Sequence, residues 1–553
     1  MIPVPGTMMD HALSVRMIVE RGERLFADSE VATYGGETLV RRPYREVARR
    51  ARSLAAALAA LGTAPGEVIG TYCWNTSAHL EAYLAVPASG RVLHTLNVRL
   101  PHEHLDYVIR HADDRVLLVD ASLLPAITPV LRGLDRVTDL VVIGDGATEA
   151  PGFAGRIHAY EELIARHDPV EDWADTAENA AAVLCYTSGT TGMPKGVAYS
   201  HRSIFLHSLA SMAADAFAIS NADRILMVPP MFHANAWGMP FSGWLAGSDM
   251  IMPGPHLQPD HLARLIASER PTLMAAVPTI LNDLLQLHAR EPLDLGCFRT
   301  IVSGGSAVSE TLIRKVRDAW GVDLVQGWGM TETSPMCVLS FPPRGASESD
   351  AIAWRAKSGR PVPGMSVRIV DDAGNRLPED GVTVGNLQLR GPWVAQGYHR
   401  QTPEESPLTP DGWLRTGDVG RIDRLGYVQI TDRAKDLIKS GGEWISSVDL
   451  ENGLTALPGV IEAAVVAVPD PRWEERPLAV VVLEKDRAPD PAALRQALLS
   501  RFARFMIPEY WAFVDAIPKT SVGKYDKLAI RRKVDGEELS VLAEMRFGSG
   551  DEG

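Results

Sequence analysis

The chain has 553 residues, more than one compact core usually holds, so several structural units are expected. Hydrophobic residues make up 46% and charged residues 22%, which excludes a mainly disordered chain. The 69 Asp+Glu against 55 Lys+Arg leave a net charge of −14, which argues against a broad nucleic-acid surface but leaves room for a nucleotide in a small cationic site.

Along the chain, residues 1–17 lack the basic and apolar regions of a secretory signal. Residues 44–61 carry apolar positions at helical spacing, 68–74 read as a strand, and 79–88 as a short helix. Residues 115–120 and 139–144 are short β-branched runs, and the alternation predicts parallel strands with helical crossovers. Three strands, 181–186, 299–303 and 323–326, each run into a small-residue loop, at 187–196, 304–306 and 327–334. Such loops leave the carboxyl ends of strands, where α/β sheets bind ligands. The uncharged stretch 225–248 holds His, Asn, Pro and Gly, so no integral membrane segment is expected there. From about residue 359 the strands 367–371, 384–391 and 427–431 with tight turns predict an antiparallel β subdomain. A compact α+β unit follows, with helices at 447–457 and 491–502 and strands at 461–468, 478–484 and 511–514. The fold class expected is therefore α/β, with a large N-terminal domain (1–431), a boundary at 432–439 and a small C-terminal domain (440–553). Cys73, Cys185, Cys297 and Cys337 form no C-x-x-C pair and read as buried, reduced thiols of a soluble cytoplasmic protein.

The most informative stretch is Tyr186-Thr187-Ser188-Gly189-Thr190-Thr191-Gly192-Met193-Pro194-Lys195-Gly196. Its glycines permit tight turns and close approach, its hydroxyls offer short donors, and Lys195 supplies a cation. Together they make a phosphate cradle, although the Gly-Lys-Ser/Thr of a Walker A loop is missing. Neither a G-x-S-x-G elbow nor an H-E-x-x-H zinc motif occurs.

This loop resembles the signature of the adenylate-forming superfamily of acyl-CoA synthetases, luciferases and peptide-synthetase adenylation domains. Four further motifs match in order. Gly327-Trp328-Gly329-Met330-Thr331-Glu332-Thr333 resembles the adenine and magnesium motif. Gly412-Trp413-Leu414-Arg415-Thr416-Gly417-Asp418 resembles the ribose motif. Asp432-Arg433-Ala434-Lys435-Asp436-Leu437-Ile438-Lys439-Ser440-Gly441-Gly442 resembles the hinge, and Pro518-Lys519-Thr520-Ser521-Val522-Gly523-Lys524 the catalytic-lysine motif. A narrower resemblance, to bacterial fatty acyl-CoA ligases including a homodimeric long-chain type, rests on Met8-Met9-Asp10, Leu93–Leu100, Met231-Phe232-His233-Ala234-Asn235-Ala236-Trp237 and Gly442-Glu443-Trp444-Ile445-Ser446-Ser447.

The resemblance implies stacked α/β sheets with a β subdomain and a mobile C-terminal domain. It implies activation of a carboxylic acid, a medium- or long-chain fatty acid, by ATP, with transfer to coenzyme A. Lys524 becomes the cation between the carboxylate and the α-phosphate. Glu332 and Thr187 become the Mg²⁺ ligands. Asp418 takes the ribose hydroxyls, Trp328 stacks on adenine where the family more often has Tyr, and Arg433 contacts ribose or phosphate. Gly304, Gly305, Ser306, Gln326, Gly327 and Thr331 line the adenine or acyl pocket on their loops. His233 lies beside the substrate carboxylate, and Trp237 gates an acyl tunnel. Lys435 is the hinge, Lys439 gathers with Lys195, Arg433, Lys435 and Lys524 around ATP, and rotation of the C-terminal domain brings Gly441, Gly442 and Trp444 toward the CoA tunnel. A homodimer is implied as well. An aryl acid, a small inorganic acid such as nitrite, or a carrier-protein or amine acceptor are the alternatives within the same chemistry.

Overall fold

The computed structural model describes residues 6–145, 149–187, 193–402, 405–440, 443–485, 487–520, 524–536 and 538–543, with only the backbone of Trp444 and Ala543. Two large sheets form the body. One has seven strands, parallel from Arg156–Ala159 through Asp139–Ile143, Asp114–Asp120, Val68–Tyr72 and Val92–Thr95 to Ala181–Tyr186. Its edge strand Gly196–Ser200 pairs antiparallel with Ala181–Tyr186, the strand that precedes the glycine-rich stretch. The other sheet has nine strands around a parallel centre that includes Arg224–Leu226, Leu273–Ala276, Thr300–Gly304 and Leu324–Gly329.

Helices fill the space between the sheets. Ser77–Ala88 is buried on every side; its sequence is mostly apolar, and its one carboxylate, Glu81, pairs with Arg50 at 2.7 Å. One continuous core joins side chains of both sheets, such as Ile69 and Val116 on one and Val31 and Val302 on the other. Trp244 stacks on Tyr44 within it, at 3.9 Å between ring centroids. Gly22 leaves room for that indole, since a Cβ there would lie 2.2 Å from Trp244 Nε1. Outer helices cover the far faces with two further cores.

A four-stranded antiparallel sheet follows: Ser366–Val370, Gly385–Arg390, Leu414–Ile422 and Val428–Arg433. The nine-residue strand Leu414–Ile422 was not legible as a strand, because its sequence carries two glycines and alternates charge with small residues. The chain then crosses residues 434–437 into a separate mixed sheet built on the hairpin Val460–Asp470 and Glu474–Leu483. Both faces of that sheet are covered, by Ser447–Thr455 and Pro491–Leu498 on one side and Lys527–Asp535 on the other. Cys73, Cys185 and Cys337 are buried free thiols, whereas Cys297 is only partly buried.

Candidate active site

The parallel strands Leu273–Ala276, Thr300–Gly304 and Leu324–Gly329 deliver their carboxyl ends to one edge of the nine-stranded sheet. A cavity of about 1500 Å³ opens there, between the large sheets, the four-stranded sheet and the C-terminal unit. Thr187, Lys195, His233, Trp237, Gly304, Gly305, Ser306, Gln326, Gly327, Trp328, Thr331, Glu332, Asp418, Arg433, Lys435 and Lys524 all line it. Ser188, Gly189, Thr190 and Thr191 lie outside the described residues, as do Gly441, Gly442 and the side chain of Trp444.

The base of the glycine-rich loop is closed on itself. Thr187 N–H donates to Lys195 O at 2.9 Å, and Lys195 N–H donates to Thr187 Oγ1 at 3.1 Å. Lys195 Nζ sits 4.9 Å from the centre of the Tyr398 ring, within cation–π range. The Tyr398 hydroxyl donates to Glu332 Oε1 at 2.7 Å. Burial and the charge of Glu332 push the Tyr398 phenol well above its ordinary pKa, so it stays a donor. Glu332 is 6% exposed and Thr331 is held through its carbonyl by the Tyr199 hydroxyl, at 2.6 Å.

Asp418 is 4% exposed and meets two donors. Trp328 Nε1–H donates to its Oδ2 at 3.0 Å, and Arg433 Nε lies 3.2 Å from its Oδ1. Burial raises the Asp418 pKa, while Arg433, Lys524 and the indole N–H oppose that rise. The Trp328 indole N–H is thus a donor aimed at the carboxylate. Gln326 is not on a loop: it lies within the strand Leu324–Gly329, and its Oε1 accepts from Val308 N–H at 2.9 Å. It shapes the loop 304–308 from beneath.

Lys524 reaches into the cavity beside Gly305, where a Cβ would lie 3.6 Å from Lys524 Cε. Gly305 has φ +85°, which a side chain would strain. Burial and Arg433 lower the Lys524 pKa to about 8, against the pull of Asp418 and Glu332. His233 is held neutral, its pKa lowered to about 4 by burial and by Lys524. Neutral imidazole suits a positional hydrogen-bonding role near a carboxylate rather than ion pairing.

Trp237 ends a run of left-handed residues, Ala234 (φ 43°), Asn235 (53°), Ala236 (47°) and Trp237 (59°), before Gly238 (79°). Each non-glycine residue in that region costs roughly 1–2 kcal/mol, so the surroundings must hold it. Asn235 Oδ1 accepts from the Tyr83 hydroxyl at 3.2 Å and from the Cys185 thiol at 3.3 Å. Burial raises the Cys185 pKa to about 11, which keeps it a thiol donor. Upstream, Asn75 clamps the segment leading to His233, donating to Met227 O and Pro229 O and accepting from Met231 N–H. The run sets the Trp237 ring against Gly304, where a Cβ would lie 3.3 Å from Trp237 Cη2 and 2.7 Å from Gly327 O.

Lys439 is not brought to the cavity. It lies exposed on the strand Ile438–Ser440, opposite Trp444 in the adjoining strand, because pairing within the C-terminal sheet carries it away. Asn75, Tyr83 and Tyr398 belong to the site's support and were not found from the sequence. Each is a single residue whose partner lies far along the chain, and no local pattern marks it.

The family described as AMP-binding enzyme matches residues 23–399, and the AMP-binding enzyme C-terminal domain matches 449–524. The chain is similar to a long-chain-fatty-acid–CoA ligase of Thermus thermophilus, 44% identical over 96% of this chain and 97% of that protein. It is similar to a 3-methylmercaptopropionyl-CoA ligase of Ruegeria lacuscaerulensis, 41% identical over 95% of this chain and 98% of the other. A medium-chain-fatty-acid–CoA ligase of Ectopseudomonas oleovorans is 40% identical over 96% and 97%. Among solved structures, the anthranilate CoA ligase AuaEII in complex with anthranoyl-AMP superposes with a TM-score of 0.86, at 26% identity over 96% of this chain and 99% of that one.

Proposed function

Because the chain belongs to the AMP-binding enzyme family, we propose that it joins a carboxylic acid to coenzyme A in two steps, cleaving ATP to AMP and pyrophosphate. The observation that carries this reading is Lys524, a buried cation of the C-terminal unit that lines the cavity beside Gly305 and feels the charges of Asp418 and Glu332.

In the first step a carboxylate oxygen attacks the α-phosphorus of ATP, and the bond to the pyrophosphate oxygen breaks. Two anions approach one another, so fixed cations at the point of contact lower the barrier. Lys524 is the residue proposed there, with Lys195 beside the departing phosphates and Arg433 at the ribose end. Asp418 accepts from the ribose hydroxyls and Trp328 packs against the adenine. In the second step the CoA thiol, having lost its proton, attacks the acyl carbonyl and AMP leaves.

The residues present also fit a magnesium ion carried by ATP. Mg²⁺ is usually held by one or two carboxylate or hydroxyl ligands plus phosphates, and Glu332 with Thr187 offers that set. Among the described residues no cluster of three or more His, Cys, Asp or Glu could hold a metal alone, which suits an ion arriving with its nucleotide. It would screen phosphate charge.

The division proposed is a body of residues 1–431, a hinge at 432–439 centred on Lys435, and a mobile unit of 440–553. The acid proposed is a medium- or long-chain fatty acid, since Val228, Trp237, Val277, Ile280 and Leu312 give the acyl side of the cavity an apolar wall. Three relatives of nearly equal identity carry names with different acids, so identity alone does not choose among them. No helix among the described residues is long and apolar enough to cross a membrane, and a cytoplasmic location is proposed.

Pyrophosphate release across an acid panel tests the reading: fatty acids from C2 to C18, benzoates and nitrite, each with and without CoA. CoA-dependent turnover peaking among the C8–C18 acids is expected. Turnover confined to aromatic or inorganic acids would replace the fatty-acid assignment.

A further inference from the structure

The helix Lys527–Asp535 begins three residues after Lys524. Two of its side chains, one turn apart on the same face, reach back to the junction between the body and the C-terminal unit. Lys527 Nζ donates to Ser447 Oγ at 2.5 Å and pairs with Glu451 Oε1 at 2.8 Å. Ser447 donates its N–H and its hydroxyl to Asp432 Oδ2, at 2.6 and 2.5 Å. The neighbouring Ser446 hydroxyl donates to Thr431 O at 2.6 Å. One turn on, Arg531 Nη2 donates to Asp436 Oδ1 at 2.7 Å.

Thr431 and Asp432 end the last strand of the four-stranded sheet. Ser446, Ser447, Glu451 and Lys527 all belong to the C-terminal unit, so the bonds to Thr431 and Asp432 span the junction. The network is withdrawn from water: Asp432 is 2% exposed, Ser447 0%, and the Lys527 and Glu451 side chains 13% each. Burial lowers the Lys527 pKa, but Glu451 and Asp432 outweigh it and the net shift is upward, so the ammonium is retained.

The other end of the linkage is the catalytic loop itself. Lys524 N–H donates to Thr520 Oγ1, and Thr520 N–H donates to Lys524 O, so the loop is closed at its base. Asp526 then caps the helix through Ala529 N–H and ties back to Pro518 O through its own N–H.

We propose that Lys527 is a positioning residue for the adenylation step alone, tying the loop that carries Lys524 to Asp432 across the hinge. The inference rests on the two-step reading above. The bonds that span the pivot are those from Ser447 to Asp432, and Lys527, donating to the same Ser447 hydroxyl, orients it toward Asp432; such spanning bonds exist in one arrangement and are lost when the unit turns, so they bias the equilibrium by their differential strength. Their loss weakens the arrangement with Lys524 in the cavity and leaves the thiolation arrangement untouched.

The test separates the half-reactions. Adenylation is read as pyrophosphate release in single turnover without CoA, and thiolation as acyl-CoA formation from synthetic acyl-adenylate. Lys527→Met leaves Glu451 buried without its cation, which alone destabilises a fold, so the double variant Lys527→Met/Glu451→Gln is measured beside it. Adenylation in the double variant is expected to slow about tenfold in rate, with KM for ATP and acid within about twofold and thiolation unchanged. Lys527→Arg is expected to keep most of the adenylation rate. Equal loss in both half-reactions, undiminished adenylation, or no recovery with Arg would each overturn the proposal. Lys524→Ala serves as the control: if it adenylates normally, the two-step reading of the site fails, whatever Lys527 does.

Discussion

Lys524 shows how much one side chain's surroundings matter. A lysine in a loop near the chain end is ordinarily a solvated cation, and the motif around it suggested otherwise. Burial beside Arg433 brings its pKa down to about 8, close enough to working pH to leave a signature. The sign follows from its task. The proposed role needs the charged form, which dominates below pH 8 and is lost as pH rises through it. Adenylation kcat/KM, which reports the free enzyme, is therefore expected to fall about tenfold per unit above pH 8. The kcat profile should fall at higher pH, because bound anions favour the ammonium. Lys524→Arg should abolish the fall in kcat/KM, since guanidinium does not titrate there. A profile flat through this range in the native enzyme would remove Lys524 from the chemistry. The residue scale also holds what spacing did not reveal: Tyr398, which ties Glu332 to the face beneath Lys195, acts 66 residues from its carboxylate partner.

At the scale of elements, strand ends and tight turns make the site. The strand–loop grammar at 299–306 was readable, because a β-branched run and a glycine pair are local signals. The left-handed run at Ala234–Trp237 was not, since alanine and tryptophan carry no preference for that region. Its stability comes from Tyr83, Cys185 and Asn75, which lie on other elements. Gly304 is where this run meets the neighbouring strand, and Gly304→Ala tests the fit. The added methyl would lie 2.7 Å from Gly327 O and 3.3 Å from Trp237 Cη2. Overpacking of this kind costs about 1–3 kcal/mol, which chemical denaturation should register. A displaced Trp237 should also raise KM for the acid more than KM for ATP. Unchanged stability and unchanged acid KM would show that the indole is not held there.

The whole molecule works as two bodies around one cavity. The negative net charge described the molecule as a whole and said little about the cavity, whose lining includes Lys195, Arg433, Lys435 and Lys524. Lys439 does not join them, because strand pairing in the C-terminal sheet fixes its direction. We propose a homodimer, which the narrower resemblance implies; Met8 and Met9, which carry part of that resemblance, are 86% and 88% exposed in the single chain. Sedimentation is expected to give about 120 kDa, twice the 60.0 kDa chain. A single 60.0 kDa species at all concentrations would end the dimer proposal.

What the sequence determined by itself was the chemistry: which cations, carboxylates and glycines are present, in which order, and on which kind of loop. Those signals are legible because a motif of seven to eleven residues encodes its own backbone geometry. The tertiary structure alone decided which of these residues meet. It placed Trp328 on Asp418, put Gln326 beneath a loop rather than on one, left Lys439 outside, and linked Lys527 through Ser447 to Asp432. Contacts between residues as far apart as Asn75 and Met231 depend on how whole layers pack, and no short stretch of chain carries that information.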